Sequence, residues 1–150
     1  MADSPVFRGT FQHAVDAKGR TSLPSKFREL VSATGATNVI VTKGPDNALW
    51  CYAPKDFEAI EAKLRAKSPF DPKVRAFSHQ FVAPAQECEF DKMGRILVPA
   101  LLRQYAGLEG EAVFVGNVEH IEIWSVEAWK RREEATLGAF NVDPFGSEGF

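Results

Sequence analysis

The stretch that decides the fold is Asp16-Ala17-Lys18-Gly19-Arg20, because the chain repeats its pattern later as Asp91-Lys92-Met93-Gly94-Arg95. Each copy is followed at the same two distances by a proline and an arginine, which are Pro24 and Arg28 in the first copy and Pro99 and Arg103 in the second. The pattern D-x-x-G-R-x-x-x-P-x-x-x-R therefore occurs twice in fixed register. Such agreement at a constant offset indicates an internal repeat.

Each copy predicts a strand, a tight turn, a second strand and a short helix. Phe11, His13 and Val15, which are larger, alternate with Gln12 and Ala14, and such a period of two is typical of a half-buried strand. Gly19 can adopt a positive φ, and the Asp16 carboxylate can accept hydrogen bonds from the backbone that follows it. We therefore expect Asp16 and Gly19 to brace the first loop, and Asp91 and Gly94 to brace the second.

The repeat continues into a second pair of strands. Residues 39–41 and 48–52 are apolar runs separated by turn-forming residues, and residues 112–115 and 121–124 are their counterparts. A helix is predicted after each pair, so each unit reads hairpin, short helix, hairpin, helix. The predicted class is α+β and rich in β-structure. Units of this size have small cores, so we expect the two to pack together or to exchange elements.

The domain organisation follows from these elements. We predict a first repeat over 10–55, connecting helices over 56–84, a second repeat over 85–128, and a C-terminal helix with a tail over 129–150. Asp71 and Ser125 are the predicted N-caps of two helices. The tail beyond Leu137 has no hydrophobic period and is predicted to be mobile. Three phenylalanines leave open the alternative that this tail docks on a neighbouring subunit; they are Phe140, Phe145 and Phe150.

Composition places the chain among ordinary globular proteins. Charged residues make up 25% and apolar residues 45% of the 150 positions. No run has transmembrane length and no signal peptide is recognisable, so we expect a cytoplasmic protein. Cys51 and Cys88 fall inside predicted strands, which favours buried, reduced thiols over a disulfide or a metal site.

No catalytic constellation is apparent, and we expect no enzyme activity, no cofactor and no metal. Nucleotide-binding loops and zinc motifs are missing from the sequence. We interpret His13, His79 and His120 as hydrogen-bonded structural residues. Asp16 and Asp91 could form a catalytic carboxylate pair, which would require them to share one cleft. We favour the local role of each carboxylate in its own turn.

Charge singles out the first copy. Residues 7–28 carry five cations against one acid, whereas residues 86–103 carry three of each. A rigid hairpin that displays cations suits the phosphates of DNA, and a β-ribbon can enter the major groove. A basic but merely solvated face explains the charge alone about equally well.

Several motifs together resemble the MraZ family. They are the segment at 7–9 (F-R-G), the two copies above with their L-P-x-K-F-R and I-L-V-P continuations, the segment at 49–54 and the segments at 102–108 (L-R-x-Y-A-G-L) and 122–124 (E-I-W). The similarity covers residues 7 to 132. It implies two tandem swapped-hairpin units of the AbrB and MazE type, arranged as a pseudo-dimer with flanking helices.

The resemblance also implies a function. It implies a sequence-specific transcriptional regulator that binds short direct repeats in double-stranded DNA upstream of the division and cell-wall gene cluster, including its own promoter. Subunits of the family assemble into ring-shaped homo-oligomers associated with the nucleoid. The alternative is an antitoxin-like module of the MazE type, which uses the same fold to bind a protein partner.

The family motif D-x-x-x-R falls on Asp16 and Arg20, and again on Asp91 and Arg95. We expect Arg20 and Lys18 to contact DNA, while three further cations bind phosphate or support the hairpin; they are Arg8, Lys26 and Arg28. Arg95 is expected to be a weaker contact, because Met93 replaces Lys18 and two acids, Glu87 and Glu89, lie beside it. Arg20→Ala should then cost at least ~1 kcal/mol more DNA-binding free energy than Arg95→Ala.

Overall fold

The computed structural model describes residues 4–146, which form eight strands and five α-helices. The first repeat contains β1 (Thr10–Val15), β2 (Arg20–Ser22), α1 (Ser25–Ser32), β3 (Asn38–Lys43) and β4 (Leu49–Tyr52). Two helices follow, α2 (Pro54–Arg65) and α3 (Pro72–Phe77), the latter continued by a π-helical turn at Ser78–Val82. The second repeat contains β5 (Gln86–Glu89), β6 (Arg95–Leu97), α4 (Ala100–Ala106), β7 (Gly110–Asn117) and β8 (His120–Trp124), and α5 (Val126–Leu137) ends the fold.

The eight strands form one antiparallel sheet in the order β5-β3-β4-β8-β7-β1-β2-β6, which curls into a nearly closed barrel. The order shows that the repeats exchange strands. β1 of the first repeat pairs with β7 of the second, and β5 of the second pairs with β3 of the first. β2 and β6 also pair with each other across the two repeats. The predicted α+β class with swapped hairpins is therefore confirmed.

A single hydrophobic core fills the barrel and draws on both repeats. Phe27 and Leu49 from the first repeat and Phe114 and Ile123 from the second are completely buried in one cluster. Burial of a side chain of this size contributes roughly 1.5–3 kcal/mol. Because the same cluster contains residues of both units, strand exchange solves the problem that each unit is too small for a core of its own.

The helices pack on the outside of the barrel. Phe57 of α2 and Phe81 of the π-helical turn cover Tyr52 of β4, while Trp129 of α5 lies against Trp124 of β8. Both predicted N-caps are confirmed. An Asp71 side-chain oxygen accepts a hydrogen bond from the Lys73 amide at 2.9 Å, and the Ser125 hydroxyl accepts one from the Ala128 amide at 3.1 Å. No helix within residues 4–146 is long and apolar enough to cross a membrane.

Two of the three histidines have the predicted structural role. His13 Nδ1 donates to the Ser22 carbonyl oxygen at 2.6 Å, and His120 Nε2 lies 3.0 Å from Glu122 Oε2. The prediction is wrong for His79, which is exposed and makes no side-chain hydrogen bond with the residues described. His79 belongs to the π-helical turn that follows α3, and its side chain is exposed there.

Both cysteines are free and buried, as predicted. Burial, reinforced by the neighbouring Cys88, raises the pKa of the Cys51 thiol well above its ordinary value. Burial also raises the pKa of Cys88 to about 11. Thiols in this state are poor nucleophiles. At the C-terminus, Ala139–Asn141 form a 3-10 turn and Phe140 is exposed, whereas Phe150 lies outside the described residues.

Candidate nucleic-acid interface

The first D-x-x-G-R copy forms a tight turn that is held by its own aspartate. Asp16 Oδ1 accepts hydrogen bonds from the Lys18 amide at 3.0 Å and the Arg20 amide at 2.8 Å. Asp16 Oδ2 accepts a third from Arg20 Nε at 2.7 Å. Gly19 closes the turn at a φ of 93°, where a side chain would be strained.

The second copy repeats this geometry. Asp91 Oδ1 accepts hydrogen bonds from the Met93 and Arg95 amides, both at 2.9 Å, and Oδ2 accepts one from Arg95 Nε at 2.8 Å. Gly94 has a φ of 76°. The two loops are therefore built alike although Met93 occupies the position of Lys18.

The hydrogen bonds favour the ionised form of both carboxylates. The backbone amide of Arg20 is the main cause that lowers the pKa of Asp16; burial opposes it less strongly, and the Arg20 guanidinium adds to the lowering. Arg95 affects the pKa of Asp91 in the same way. Carboxylate pairs in catalysis need pKa values that are pushed apart, so that one group can act as the acid. Here both pKa values are lowered, and both oxygens of each carboxylate accept hydrogen bonds within their own turn. This arrangement suits structural bracing.

The two arginines emerge on one surface, because β2 and β6 pair with each other. Arg20 lies opposite Leu97, and Ser22 lies opposite Arg95. Directly opposed residues of an antiparallel pair share a face, and so do alternate residues along a strand. The outward face of this β2–β6 ribbon therefore carries Arg20 and Arg95 on a diagonal, whereas Thr21 and Ile96 between them are buried.

The guanidinium groups of the ribbon are only partly used by the protein. Arg20 and Arg95 each bond their aspartate through Nε, and their side chains have relative exposures of 39% and 29%. Their terminal nitrogens, Nη1 and Nη2, have no hydrogen-bond partner within residues 4–146. Each arginine is thus fixed in one orientation and retains a fork of donors for a carboxylate, a phosphate or a guanine edge.

The arginine that ends each sequence pattern lies over the turn of the other copy. A Cβ atom built on Gly19 would overlap the guanidinium of Arg103, and one built on Gly94 would overlap that of Arg28. The strands reinforce this contact, since the Val98 amide donates to the Gly19 carbonyl oxygen at 3.0 Å. The spacing D-x-x-G-R-x-x-x-P-x-x-x-R is therefore explained by contact between the copies.

This exchange corrects the charge comparison made from sequence windows. By its place in the sequence Arg28 belongs with the first hairpin, but its guanidinium lies at the second turn, and that of Arg103 lies at the first. Three cations against one aspartate now surround each turn; they are Lys18, Arg20 and Arg103 at the first, and Arg28, Lys92 and Arg95 at the second. Within the turns themselves two positions differ: Lys92 replaces Ala17, and Met93, 71% exposed, replaces Lys18.

Arg8 and Lys26 lie together in a different place. With Glu29 they line a groove of about 300 Å³ that includes none of the turn residues. The acid partly offsets the two cations, so this surface is a weaker attractor of phosphate than the ribbon.

Open grooves flank the ribbon beside both turns. One of about 790 Å³ is lined by Asp16, Ala17, Arg103 and Gln104, among others, and its counterpart of about 400 Å³ is lined by Arg28, Asp91 and Met93. The sequence interpretation did not assign Ser22, Leu97 or Arg103 to the site. Alternation along the strands after Arg20 and Arg95 would have identified Ser22 and Leu97 as outward-facing. No cluster of histidine, cysteine or acidic residues in the described part of the chain could hold a metal ion.

Comparison with known proteins agrees with the repeat. The family model described as "MraZ protein, putative antitoxin-like" matches residues 6–80 and 81–142. A protein of Caldicellulosiruptor saccharolyticus named Transcriptional regulator MraZ is 48% identical over 124 residues, covering 82% of this chain and 83% of its own. Proteins of the same name from Thermoanaerobacter sp. (strain X514) and Lactiplantibacillus plantarum are 42% and 41% identical, over 90% and 91% of this chain and 92% and 94% of theirs.

Proposed function

The chain belongs to the MraZ family, and from this premise we propose that it regulates transcription by binding double-stranded DNA through the β2–β6 ribbon and its two turns. The observation that carries the proposal is the pair of arginines, Arg20 and Arg95, which one ribbon face presents in fixed orientations with free donors. A two-stranded ribbon is narrow enough to enter the major groove.

The surrounding residues take separate roles in this proposal. Arg20 and Arg95 contact base edges or phosphates, and Lys18 and Lys92 contact phosphates beside them. Asp16 and Asp91 hold the arginines, while Arg28 and Arg103 support the turns and add positive charge. Arg8 and Lys26 form a peripheral phosphate contact.

The proposal extends to the target and to assembly. We place the target in short direct repeats upstream of the division and cell-wall gene cluster, including the promoter of the chain's own gene, and we expect a cytoplasmic, nucleoid-associated protein. Ring-shaped homo-oligomers would let neighbouring subunits hold successive repeats. Large apolar side chains exposed outside the ribbon support self-association; examples are Phe70, Leu137 and Phe140.

The test is a DNA-binding titration across a salt series. Fluorescence anisotropy would compare the upstream region of the chain's own gene with a scrambled sequence of equal length and composition. We expect preference for the upstream region and a decline in log K with log salt of about 0.9 per neutralised phosphate. Equal affinity for the two DNAs, or tight binding that salt does not weaken, would overturn the proposal.

The antitoxin-like description of the family supports a second candidate, namely binding of a protein partner. In that case the exposed apolar residues at the end of the fold would serve as the contact, and the ribbon arginines would be dispensable. A variant with both Arg20→Ala and Arg95→Ala separates the two candidates. DNA regulation requires this variant to lose specific DNA binding while keeping its oligomeric mass.

A further inference from the structure

The two halves of the β2–β6 ribbon are related by the repeat but do not carry the same side chains. Arg20 is paired across the strands with Leu97, whereas Arg95 is paired with Ser22. Leu97 and Ser22 occupy equivalent positions of the two repeats. A face that is nearly symmetric in backbone and in its arginines is therefore asymmetric at one pair of neighbours.

Leu97 is an exposed aliphatic residue on a polar, cationic face. Its relative exposure is 55%, although the residue before it, Ile96, is buried. In the major groove the apolar feature that distinguishes one base from another is the 5-methyl group of thymine, and aliphatic side chains contact it. Serine offers a hydroxyl and has no equivalent preference.

We propose that Leu97 contacts the 5-methyl group of a thymine beside the base pair contacted by Arg20, while Ser22, its counterpart beside Arg95, makes no such contact. The proposal rests on the proposed function and names one base, thymine, in the DNA sequence that the ribbon binds. Opposed side chains in a ribbon start about 4.5–5.5 Å apart, and base pairs are stacked about 3.4 Å apart. Arg20 and Leu97 can thus reach neighbouring base pairs.

The consequence is a site without two-fold symmetry. Two identical half-ribbons would favour a palindrome, because each would read the same bases on opposite strands. With Leu97 beside Arg20 and Ser22 beside Arg95, each subunit reads a thymine methyl group at this position in one half of the ribbon only. Such a target has a direction, which suits subunits arranged head to tail on direct repeats.

The experiment removes only the methyl groups. The upstream region of the chain's own gene is amplified with dTTP or with dUTP, so that the two DNAs differ at the 5-position of every thymine. Affinities are measured for the unmodified protein, for Leu97→Ser and for Ser22→Leu. Both substitutions lie on the outward face of the ribbon, where Leu97 is exposed and Ser22 is half-buried, and native mass is verified first by light scattering.

We expect the uracil DNA to bind the unmodified protein more weakly, by about fourfold for each engaged subunit, which is the ~0.8 kcal/mol of one buried methyl-sized group. Leu97→Ser should bind the two DNAs with nearly equal affinity. Ser22→Leu should be at least as sensitive to the missing methyl groups as the unmodified protein.

Other results would overturn the inference. Equal loss for the unmodified protein and Leu97→Ser would show that uracil acts through DNA shape, and no loss in either would show that no methyl is read. A reduced oligomeric mass in Leu97→Ser would assign the side chain to a subunit interface. Failure of the unmodified protein to prefer its upstream region even with thymine would instead overturn the proposed function.

Discussion

Asp16 and Asp91 act by removing freedom from an arginine. An unrestrained arginine loses about 0.5–1.5 kcal/mol of rotamer freedom when it is immobilised at an interface. Here the Nε–carboxylate bonds of 2.7 and 2.8 Å immobilise Arg20 and Arg95 before any partner arrives. The side-chain entropy of the two arginines is therefore already lost on folding, and their terminal donors are preorganised for a ligand.

The first prediction concerns the effect of pH on these turns. The folded-state pKa of Asp16 is lowered below the usual 3.8, so its contribution to stability is present above that value and is lost as pH falls through the folded pKa. The difference in unfolding free energy between the unmodified protein and Asp16→Asn should shrink as pH falls below about 4. Urea titrations at several pH values measure it.

A matched control is available on α2. Glu58→Gln removes an exposed carboxylate that forms no ion pair within residues 4–146, so its effect on stability should vary less over the same pH range. If Asp16→Asn and Glu58→Gln show the same dependence on pH, the Asp16 hydrogen bonds contribute nothing specific.

The second prediction compares the two turns by mutation. With local charge equalised by Arg28 and Arg103, Arg20→Ala and Arg95→Ala should each reduce DNA affinity by about 1.5–3 kcal/mol, the scale of a hydrogen bond to a charged group. We still expect the larger loss of DNA affinity for Arg20→Ala, now by less than ~1 kcal/mol. The remaining reason for a difference is that Met93 stands in the second turn where Lys18 stands in the first.

Met93→Lys tests that reason directly. Since the substitution adds one cation for each bound subunit, the slope of log K against log salt should steepen by about 0.9 per subunit, and Lys18→Met should make it shallower by the same amount. An unchanged slope in both variants would place these two positions away from the phosphates.

At the scale of elements, each turn and the opposite helix depend on each other. The guanidinium of Arg103 in α4 lies against Gly19, and that of Arg28 in α1 lies against Gly94, so the glycines provide both a positive φ and a surface without a side chain. The two copies are thereby joined at the ribbon itself. Displacement of one arginine would disturb a turn that belongs to the other repeat.

The third prediction separates those two roles of glycine. Gly35 also has a positive φ, of 88°, but a Cβ placed there would meet nothing within 4 Å. Gly35→Ala should therefore cost only the backbone strain, about 1–2 kcal/mol. Gly19→Ala should cost at least about 1 kcal/mol more, because its Cβ displaces Arg103 from an already packed contact.

Chemical denaturation of these two variants measures the difference. The double variant Gly19→Ala with Arg103→Ala should recover part of the loss, since the overlap disappears. Equal losses in Gly19→Ala and Gly35→Ala would mean that Arg103 is not held against the turn.

The boundaries of helices and strands could be predicted from sequence, but which repeat each element packs against could not. Alternation over residues 11–15, the cap residues Asp71 and Ser125, and the prolines mark boundaries through local chemistry, and the structure confirms them. The assignment of the Arg28 charge to the first hairpin was wrong, because it assumed that neighbours along the chain remain neighbours in space. Strand exchange breaks that assumption, and periodicity alone carries no information about which repeat supplies a partner.

At the scale of the whole molecule, one chain already has the form of a dimer. Strand exchange brings both turns to one ribbon and joins the two repeats through a common core, so the relative placement of Arg20 and Arg95 is rigid. A single ribbon nevertheless covers few base pairs. Under the proposed function, several subunits acting on several sites would supply the longer contact that a promoter offers.

The last prediction follows from this requirement. When one subunit of an oligomer is bound, the next repeat is presented to its neighbour at a high effective concentration, and avidity can exceed the single-site affinity by about 10²–10⁴. Reducing a target from several direct repeats to one should therefore weaken binding by a factor in this range. Changing the spacing by half a helical turn should weaken it comparably, because the second ribbon would then face the wrong side of the duplex. Titrations of DNAs with one, two and three repeats, with oligomeric mass measured in parallel, test both effects. Equal affinity for one repeat and for three would show that subunits bind independently.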